Sequence, residues 1–552
     1  MQIQPKDDAS GNTSKSCVLG WFSPDSSPIH EQKTGMTGLL RSLRLPIYVH
    51  SENGAMFATS DGTALLGVEK PVDTALPLTG YVPPCLPENL GDPAFCSDLG
   101  LRYPYLGGSM AKGISSVALA EELGKAGMLG FFGAAGLPIS AVDAAIDHLK
   151  SKEIPFGCNL IHSPHEPELE KTLAELFIKK EVRLVEASAF MKLTLPLVRY
   201  RLHGIHRRSD GAIITPNRII AKVSREELAA RFFAPPPESF LRELLAIGEI
   251  TAEQAELATR IPMAQHITAE SDSGGHTDNR PANTLFPTIL SLANRLQIEY
   301  GYNLPLRVGL AGGISTPAAA AAAFTMGAAY IMVGSAHQAC VESGTSDEVR
   351  AMLAETRQAD VTMAPSADMF ELGVDVQVLK RGTMFPMRAA KLYELYRAHN
   401  SIDEIPVTDR EKLEKTIFRA PLEEIWKMTH SYFLSRDPHQ AHRGEQDPKH
   451  RMALVFRWYL GQAAHWAKNG DSSRKIDYQV WCGPAMGAFN EWTAGSFLET
   501  PENRTVQTVA LNILFGAAVL TRANFLRCQG IPIPPEALRM EPLELAQIKE
   551  YL

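Results

Sequence analysis

Between about residue 100 and residue 340, the chain repeats a short apolar run, a glycine-rich or polar break, and a stretch with helical periodicity. This alternation is typical of parallel strands joined by crossover helices. Eight apolar runs are predicted to be strands: residues 105–108, 129–133, 156–160, 184–187, 219–223, 266–269, 308–311 and 330–333. Eight such strands predict a closed (β/α)8 TIM barrel of the α/β class rather than an open sheet.

The regions on either side of this pattern differ from it in composition and in the spacing of their apolar residues. Residues 1–84 are rich in Ser, Gly and Pro with short apolar alternations, which predict a loose N-terminal tail and a small β-rich domain. Residues 401–552 predict aromatic-rich helices, so we expect an all-α C-terminal region after a barrel domain at 85–400. Two stretches, about 191–217 and 233–262, are longer than ordinary crossovers and are expected to lie over the active face.

Composition limits the classes of partner. The formal net charge is −8, which provides no broad basic surface for nucleic acid or an anionic membrane. The most apolar stretches, 317–334 and 509–520, are rich in Ala and interrupted by polar or Gly residues, and the N-terminus has no apolar signal core. We therefore expect a soluble cytoplasmic protein.

The seven cysteines are widely scattered, and no two form a C-x-x-C pair. This distribution predicts reduced thiols and no metal site. Cys158 or Cys482 stays open as a nucleophile, but an isolated cysteine among apolar neighbours more often serves packing.

The ends of the predicted strands carry the candidate chemistry, because the active sites of such barrels form at the carboxyl ends of the strands. Gly312 and Gly313 follow the seventh strand, and Gly334 and Ser335 follow the eighth. Glycines let backbone N–H groups approach an anion, and the N-terminus of a following helix favours negative charge. A single Gly-Gly turn is more often a packing feature, but two such turns on neighbouring strands predict a phosphate site.

The first and third strands end in residues that could bind a planar aromatic ring. Small residues would let an aromatic ring lie against the backbone, and an amide can both donate and accept at the edge of a heterocycle. Together with the phosphate site, this arrangement predicts flavin mononucleotide (FMN). Taken singly, the residues also fit a helix cap or a buried amide that its neighbours satisfy. The residues are Gly108, Ser109, Met110 and Asn159.

The loop after the sixth strand is dense in ionisable and small residues and contains Gly274, Gly275 and His276. His276 is the best acid–base candidate among the 16 histidines, because the pKa of a histidine lies near neutrality and this loop is at the active face. A loop histidine by itself is more often a polar surface residue.

Two charged residues occur inside apolar strands. Lys222, in the fifth strand, points either outward between helices or into the barrel mouth, where a cation would stabilise a reduced flavin. Glu186, in the fourth strand, is the matching carboxylate. Both are candidates for the flavin site, and a structural Glu186–Lys222 ion pair is the alternative for both.

Several segments resemble a known family. The glycine turns after strands one, six, seven and eight look like those of the nitronate monooxygenase and FMN-dependent enoyl-acyl-carrier-protein reductase superfamily. Segments 270–280, 368–382 and 478–492 are more specific. They resemble the PfaD-type enoyl reductase subunit of bacterial polyunsaturated fatty acid synthases and its relatives in trans-acyltransferase polyketide synthases. The resemblance extends from about residue 80 to the end.

The resemblance implies an FMN enzyme that takes hydride from NADPH and reduces the α,β-double bond of an enoyl thioester on an acyl carrier protein. It implies other subunits of a fatty acid or polyketide synthase as partners. It places FMN at the glycine turns and at Asn159, and it matches His276 to the family's catalytic-loop histidine. A nitronate monooxygenase and a non-catalytic flavoprotein scaffold are the alternatives, and a homo-oligomer stays open.

A basic run at residues 199–208 stands out in an acidic protein. A solvated basic loop is the favoured interpretation. Because carrier proteins are typically acidic, a contact for the carrier protein or for the phosphate of NADPH is the alternative hypothesis. The aromatic C-terminal helices are interpreted as a helical core. Cover for an acyl tunnel or docking of another subunit is the alternative there.

Overall fold

The computed structural model describes residues 2–3, 18–24, 35–67, 69–163 and 166–552. Eight parallel strands close into a barrel in chain order, which confirms the predicted TIM barrel. We number them as the first to eighth barrel strands: Tyr105–Gly107, Leu129–Phe132, Phe156–Ile161, Leu184–Ser188, Arg218–Val223, His266–Glu270, Arg307–Ala311 and Ile331–Val333. Each predicted apolar run matches one of these strands to within one residue at either end.

A helix lies in each connection between consecutive barrel strands. These crossover helices are Val117–Lys125, Ile139–Lys150, Pro167–Lys179, Leu195–Leu202, Glu226–Phe233, Ala282–Tyr300 and Pro317–Thr325. Polar side chains cap the start of two of them. Ser116 Oγ accepts a hydrogen bond from the N–H of Leu119 at 3.0 Å, and Thr316 Oγ1 accepts from the N–H of Ala319 at 3.2 Å. Each cap satisfies an N–H group that has no partner within the helix.

The amino-terminal end of the barrel is closed by apolar packing. A helix, Pro93–Leu99, places the Phe95 ring 4.4 Å from the ring of Tyr330, centroid to centroid. The hydroxyl of Tyr330 lies 2.9 Å from Thr268 Oγ1 inside the barrel. Because this half is filled, a ligand can enter only at the carboxyl end of the strands.

The two long excursions place their extra elements at the amino-terminal end of the barrel and not over the active face. Each set follows a crossover helix and precedes the next strand, so it lies where strands begin. Gln254 Nε2 of the second excursion donates to Ile205 O of the first at 3.3 Å. The extra elements are strands His206–Arg207 and Ile213–Ile214 and helices Glu238–Ala246 and Ala252–Ala258. The expectation was wrong because the length of a crossover does not indicate which end of it carries the additional residues.

The N-terminal region forms a six-stranded antiparallel sheet, as the β-rich pattern predicts. The strands, in spatial order, are Gln2–Ile3, Ala55–Thr59, Ile47–Glu52, Leu76–Val82, Gly20–Ser23 and Thr63–Leu66. Buried residues of this sheet and of helix Gly35–Arg41 join the same hydrophobic core as the barrel. Apart from Gln2–Ile3, the predicted loose tail, with Cys17, lies outside the described residues.

The chain beyond the eighth strand is mainly helical, as predicted. Its helices are Ser335–Gln338, Asp347–Ala354, Phe385–Ala398, Val407–Lys412, Leu422–Arg436, Pro438–Gln446, Pro448–Asn469, Ala485–Thr493, Val506–Cys528 and Leu545–Tyr551. Two strands, Val361–Pro365 and Asp375–Leu379, precede most of them and form a small sheet with Gly275–His276, in which Asp375–Leu379 is the central strand. A second hydrophobic core joins residues between 364 and 463.

Helix Val506–Cys528 returns to the barrel wall. It packs against Pro317–Thr325 and Val117–Lys125, the helices after the seventh and first strands, and so takes the position of the eighth outer helix. Among the described residues it is the one helix long and apolar enough to cross a membrane, but 78% of its apolar window is buried in the protein. The predicted domain boundaries at residues 84 and 400 stay a prediction.

Candidate active site

The barrel opens at the carboxyl ends of its strands into a pocket. Nine predicted cofactor residues line it: Gly108, Ser109, Met110, Lys222, Gly274, Gly312, Gly313, Gly334 and Ser335. The structure therefore brings together residues from several distant parts of the chain, and the remaining predicted residues (Asn159, Glu186, Gly275 and His276) do not line the pocket.

The turn after the seventh strand has a backbone that glycine favours. Gly312 and Gly313 have φ values of +82° and +72°. A Cβ atom on Gly312 would lie 2.5 Å from Ser271 O, whereas Cβ atoms on Gly313 and Gly334 would meet no protein atom within 4 Å. Gly312 thus lets two loops pack closely, and the other two glycines leave open space at the pocket.

The turn after the first strand is held by side chains beneath it. Ser115 Oγ donates to Gly108 O and accepts from the N–H of Met110, both at 2.9 Å. Glu186, which is fully buried, accepts from the N–H of Ser109 at 2.8 Å through Oε2. Glu186 therefore supports the pocket wall from behind.

Lys222 lies between two carboxylates at the pocket floor. Its Nζ is 3.0 Å from Glu270 Oε1 and 3.7 Å from Glu186 Oε1. Burial lowers the pKa of Lys222, but attraction by Glu270 and Glu186 outweighs burial, so the pKa is raised and the ammonium stays charged. Both sequence interpretations apply to Lys222, because it forms the Glu186 ion pair and also lines the pocket.

His276 is anchored outside the barrel by the small sheet, where it pairs with Val376. Its Nε2 lies 3.2 Å from Asp368 Oδ1 and 3.2 Å from Ser366 Oγ, and Ser366 also hydrogen-bonds Asp368. Burial lowers the pKa of His276, but attraction by Asp368, with a contribution from Glu270, raises it above its ordinary value. His276 and Asp368 side chains are 30% and 48% exposed, so water weakens the pair without separating it.

Residues near 480 complete the pocket wall. Trp481 lines the pocket and forms a β-bridge with Val378. A Cβ atom on Gly274 would lie 2.9 Å from backbone atoms of Cys482, and the N–H of Gly483 donates to Ser335 Oγ at 3.4 Å. The loops after the sixth and eighth strands are thus joined by this returning segment.

Comparisons with known proteins identify the family. The nitronate monooxygenase family matches residues 94–394, and the inserted helical domain of [acyl-carrier-protein] S-malonyltransferase matches residues 399–478. The solved enoyl reductase domain of MlnA, from the macrolactin biosynthesis cluster of Bacillus amyloliquefaciens, is 40% identical with a TM-score of 0.76. That alignment covers 80% of this chain and 99% of the other. This chain is a PfaD-type enoyl reductase family member within the nitronate monooxygenase family.

Curated relatives of this family are longer proteins. A polyunsaturated fatty acid synthase subunit of Thraustochytrium sp. is 49% identical over 83% of this chain and 31% of its own length. Polyketide biosynthesis protein PksE of Bacillus subtilis is 44% identical over 78% of this chain and 56% of its own length. The chain therefore spans about a third and about half of the length of these two relatives.

The segments that resemble the PfaD-type family build the site around His276 and Trp481. Asp368, Glu270 and Trp481 lie in those segments, but sequence reasoning did not select them individually. Asp368 is 92 positions after His276, and only the pairing of Gly275–His276 with Asp375–Leu379 brings the two regions together. The sequence signal that pointed to Asp368 was the resemblance of segment 368–382 to the PfaD-type family. That resemblance gave no reason to prefer Asp368 over the other carboxylates of the segment.

Three other residues that the sequence singled out are buried in this family member. Asn159 is buried, and its Oδ1 accepts from the N–H of Ala135 at 3.1 Å, as the alternative of a buried amide predicts. Cys158 and Cys482 are fully buried, and burial raises the pKa of both thiols, to about 12 for Cys482. High thiol pKa values favour packing roles for both cysteines.

The basic run at 199–208 is occupied by internal contacts. Arg199 pairs with Glu175 and Glu249, both at 2.9 Å, and Arg208 pairs with Asp210 at 2.5 Å. Arg201 is buried and donates to backbone carbonyls at the start of the strands. Since the run belongs to the amino-terminal side of the barrel, its position does not support a carrier-protein or NADPH contact beside the pocket.

Proposed function

We propose that this chain is an FMN-dependent enoyl-acyl-carrier-protein reductase that uses NADPH to reduce the α,β-double bond of enoyl thioesters in polyunsaturated fatty acid or polyketide biosynthesis. The observation that carries the proposal is the similarity to the MlnA enoyl reductase domain over nearly its whole length. The glycine-lined pocket at the carboxyl ends of the strands supports it. The cytoplasmic location expected from the sequence stays a prediction.

The residues of the pocket fit FMN. Gly312, Gly313 and Gly334 leave backbone N–H groups accessible to a phosphate, and added Cβ atoms on Gly313 and Gly334 would enter open space. The turn at Gly108–Met110 would hold the ring, with Lys222 charged beside it. When bound, FMN would supply hydride transfer from the nicotinamide to the β-carbon of the enoyl thioester.

His276 would deliver the proton that the α-carbon takes up. Reduction by NADPH adds a hydride and one proton, and the thioester oxygen develops negative charge as the hydride arrives. A protonated imidazole can stabilise that charge and then release its proton to the α-carbon. Asp368 and Ser366 both contact Nε2 of His276, and Asp368 keeps the ring protonated to a higher pH.

An acyl carrier protein and other synthase subunits are the proposed partners. The curated relatives are named as a synthase subunit and a polyketide biosynthesis protein, and this chain matches only part of each. A synthase hands its intermediates on as thioesters of a carrier protein. The region 399–478 that resembles an S-malonyltransferase insert is the part of this chain that a simple nitroalkane enzyme would not need.

An anaerobic titration with NADPH tests this function. The flavin absorbance of the purified protein should bleach with NADPH and recover when crotonyl-phosphopantetheine is added. His276→Ala should bleach normally but recover roughly 100-fold more slowly, because it lacks the proton donor. Recovery only with air or a nitronate would establish the monooxygenase alternative. A protein that binds flavin but is not reduced by NADPH would instead be the non-catalytic scaffold.

A further inference from the structure

Lys112 has a backbone conformation that glycine favours. It follows the first barrel strand with a φ of +58°, in the left-handed region. Its N–H donates to Ala135 O at 2.7 Å, and its carbonyl accepts from Lys468 Nζ at 2.5 Å. Glycine would form this turn with less strain than lysine. A role for the Lys112 side chain would explain why a lysine occupies the position.

The ammonium of Lys112 lies beside the pocket without a carboxylate partner. Its Nζ donates to Gly461 O at 3.3 Å and lies 5.5 Å from the centroid of the Trp481 ring, which lines the pocket. The stem passes Gly136, where an added Cβ would lie 3.2 Å from Lys112 Cγ. Within the described ranges, no carboxylate forms an ion pair with this ammonium, whereas Lys222 at the pocket has two.

Burial is the main cause that lowers the pKa of Lys112, to about 8. Asp368 opposes this effect, and Lys468 and Arg436 add to it. Arg436 already pairs with Glu166 at 2.8 Å, and Asp368 is engaged with His276. A partly buried cation near two others gains stability when an anion approaches.

Helix Pro448–Asn469 meets the ammonium through the carbonyl of Gly461, a position that carries no side chain. Both substrates of the proposed reaction carry phosphate, NADPH on its dinucleotide and the acyl chain on its phosphopantetheine arm. We propose that Lys112 forms a phosphate-binding site at the mouth of the pocket for one of these two substrates. The proposal rests on the proposed function for the identity of the substrates.

Lys112→Gly tests the proposal, because it removes the ammonium and also relieves the backbone. The melting temperature should stay the same or rise, and the flavin content should not change. The KM for the substrate whose phosphate is held should rise by about tenfold or more, the effect expected for a lost charge-assisted hydrogen bond. Lys112→Met keeps the backbone strain and should raise the same KM.

Three substrates identify the source of the phosphate. If the site holds the acyl arm, the KM for crotonyl-phosphopantetheine rises, while that for crotonyl-pantetheine, which has no phosphate, is unchanged. If the site holds the nicotinamide nucleotide, only the KM for NADPH rises. A change of less than twofold in every KM would overturn the proposal.

Two further measurements separate this proposal from the reductase function. Calorimetric binding of phosphopantetheine and of NADP⁺ needs no turnover, so weaker binding of one of them by Lys112→Gly would support the site even in a protein that reduces no thioester. Equal binding by wild type and variant would overturn it. Glu153→Gly is the matched control, since Glu153 is exposed in a left-handed turn with φ +54° far from the pocket residues, and it should change stability without changing any KM.

Discussion

At the scale of single residues, the contact between His276 and Asp368 determines the pH range of the proposed reaction. Asp368 raises the pKa of His276, with Glu270 adding to the effect and Lys222 opposing it. A group with a raised pKa keeps its proton to a higher pH. His276 therefore stays a proton donor at pH values where an isolated histidine has lost its charge.

Asp368→Asn should move the basic limb of the kcat–pH profile to lower pH. Without the carboxylate the pKa of His276 falls, so the protonated donor is lost earlier as the pH rises. Activity near pH 8 should decrease by more than activity near pH 6. Asp375→Asn, which changes an exposed carboxylate of the same small sheet, should leave the profile in place. An equal loss at every pH in Asp368→Asn would show that Asp368 has only a structural role.

Lys222→Met should destabilise the protein by about 3–5 kcal/mol, because it leaves Glu186 and Glu270 without their cation. Burial already raises the pKa of Glu186, and loss of Lys222 raises it further. A carboxyl group with a raised folded-state pKa stabilises the fold below its unfolded pKa and loses that contribution as the pH rises. The loss in unfolding free energy, measured in denaturant, should therefore be smaller near pH 5 than near pH 8.

Lys222→Met combined with Glu186→Gln is the control for that interpretation. It removes the buried charge together with its partner, so part of the lost stability should return. No recovery in the double variant would mean that the loss comes from packing around the lysine stem.

At the scale of elements, the turns after the seventh and eighth strands differ in how much space surrounds their glycines. Gly312→Ala should lower the unfolding free energy by about 1–3 kcal/mol, because its Cβ would lie 2.5 Å from Ser271 O and its φ is positive. Gly334→Ala should keep the stability within about 0.5 kcal/mol, since its φ is −123° and no atom is near.

Flavin content separates these two glycine variants further. A methyl group on Gly334 would occupy the space proposed for the phosphate, so Gly334→Ala should be purified with less flavin although its unfolding curve is unchanged. A fully loaded Gly334→Ala protein would contradict the placement of FMN in this pocket.

At the scale of the whole molecule, the barrel is completed by a helix from the far end of the chain. Gly516→Val should cost about 1–3 kcal/mol in unfolding free energy, because a Cβ at Gly516 would already lie 2.7 Å from Pro317. Phe525→Ala, at an exposed position of the same helix, should change it by less than about 0.5 kcal/mol. If both variants unfold like the wild type, Val506–Cys528 does not stabilise the barrel.

Local sequence patterns were sufficient to predict the barrel strands and the glycine turns of the pocket. A buried parallel strand appears in the sequence as a continuous apolar run, and a turn with left-handed backbone usually contains glycine. Each of these two signals comes from residues within a few positions of one another. Gly312 and Gly313 could therefore be selected without coordinates, and so could the region around His276.

Contacts between distant parts of the chain determine which residues share a site, and these contacts appear only in the folded structure. It placed Asp368 against His276, Trp481 on the pocket wall and Lys112 beside that tryptophan. It also located the extra residues of the long crossovers at the closed end of the barrel and brought Val506–Cys528 back to the barrel wall. Local patterns carry no information on these contacts, because each depends on how strands pair and helices pack between distant positions of the chain.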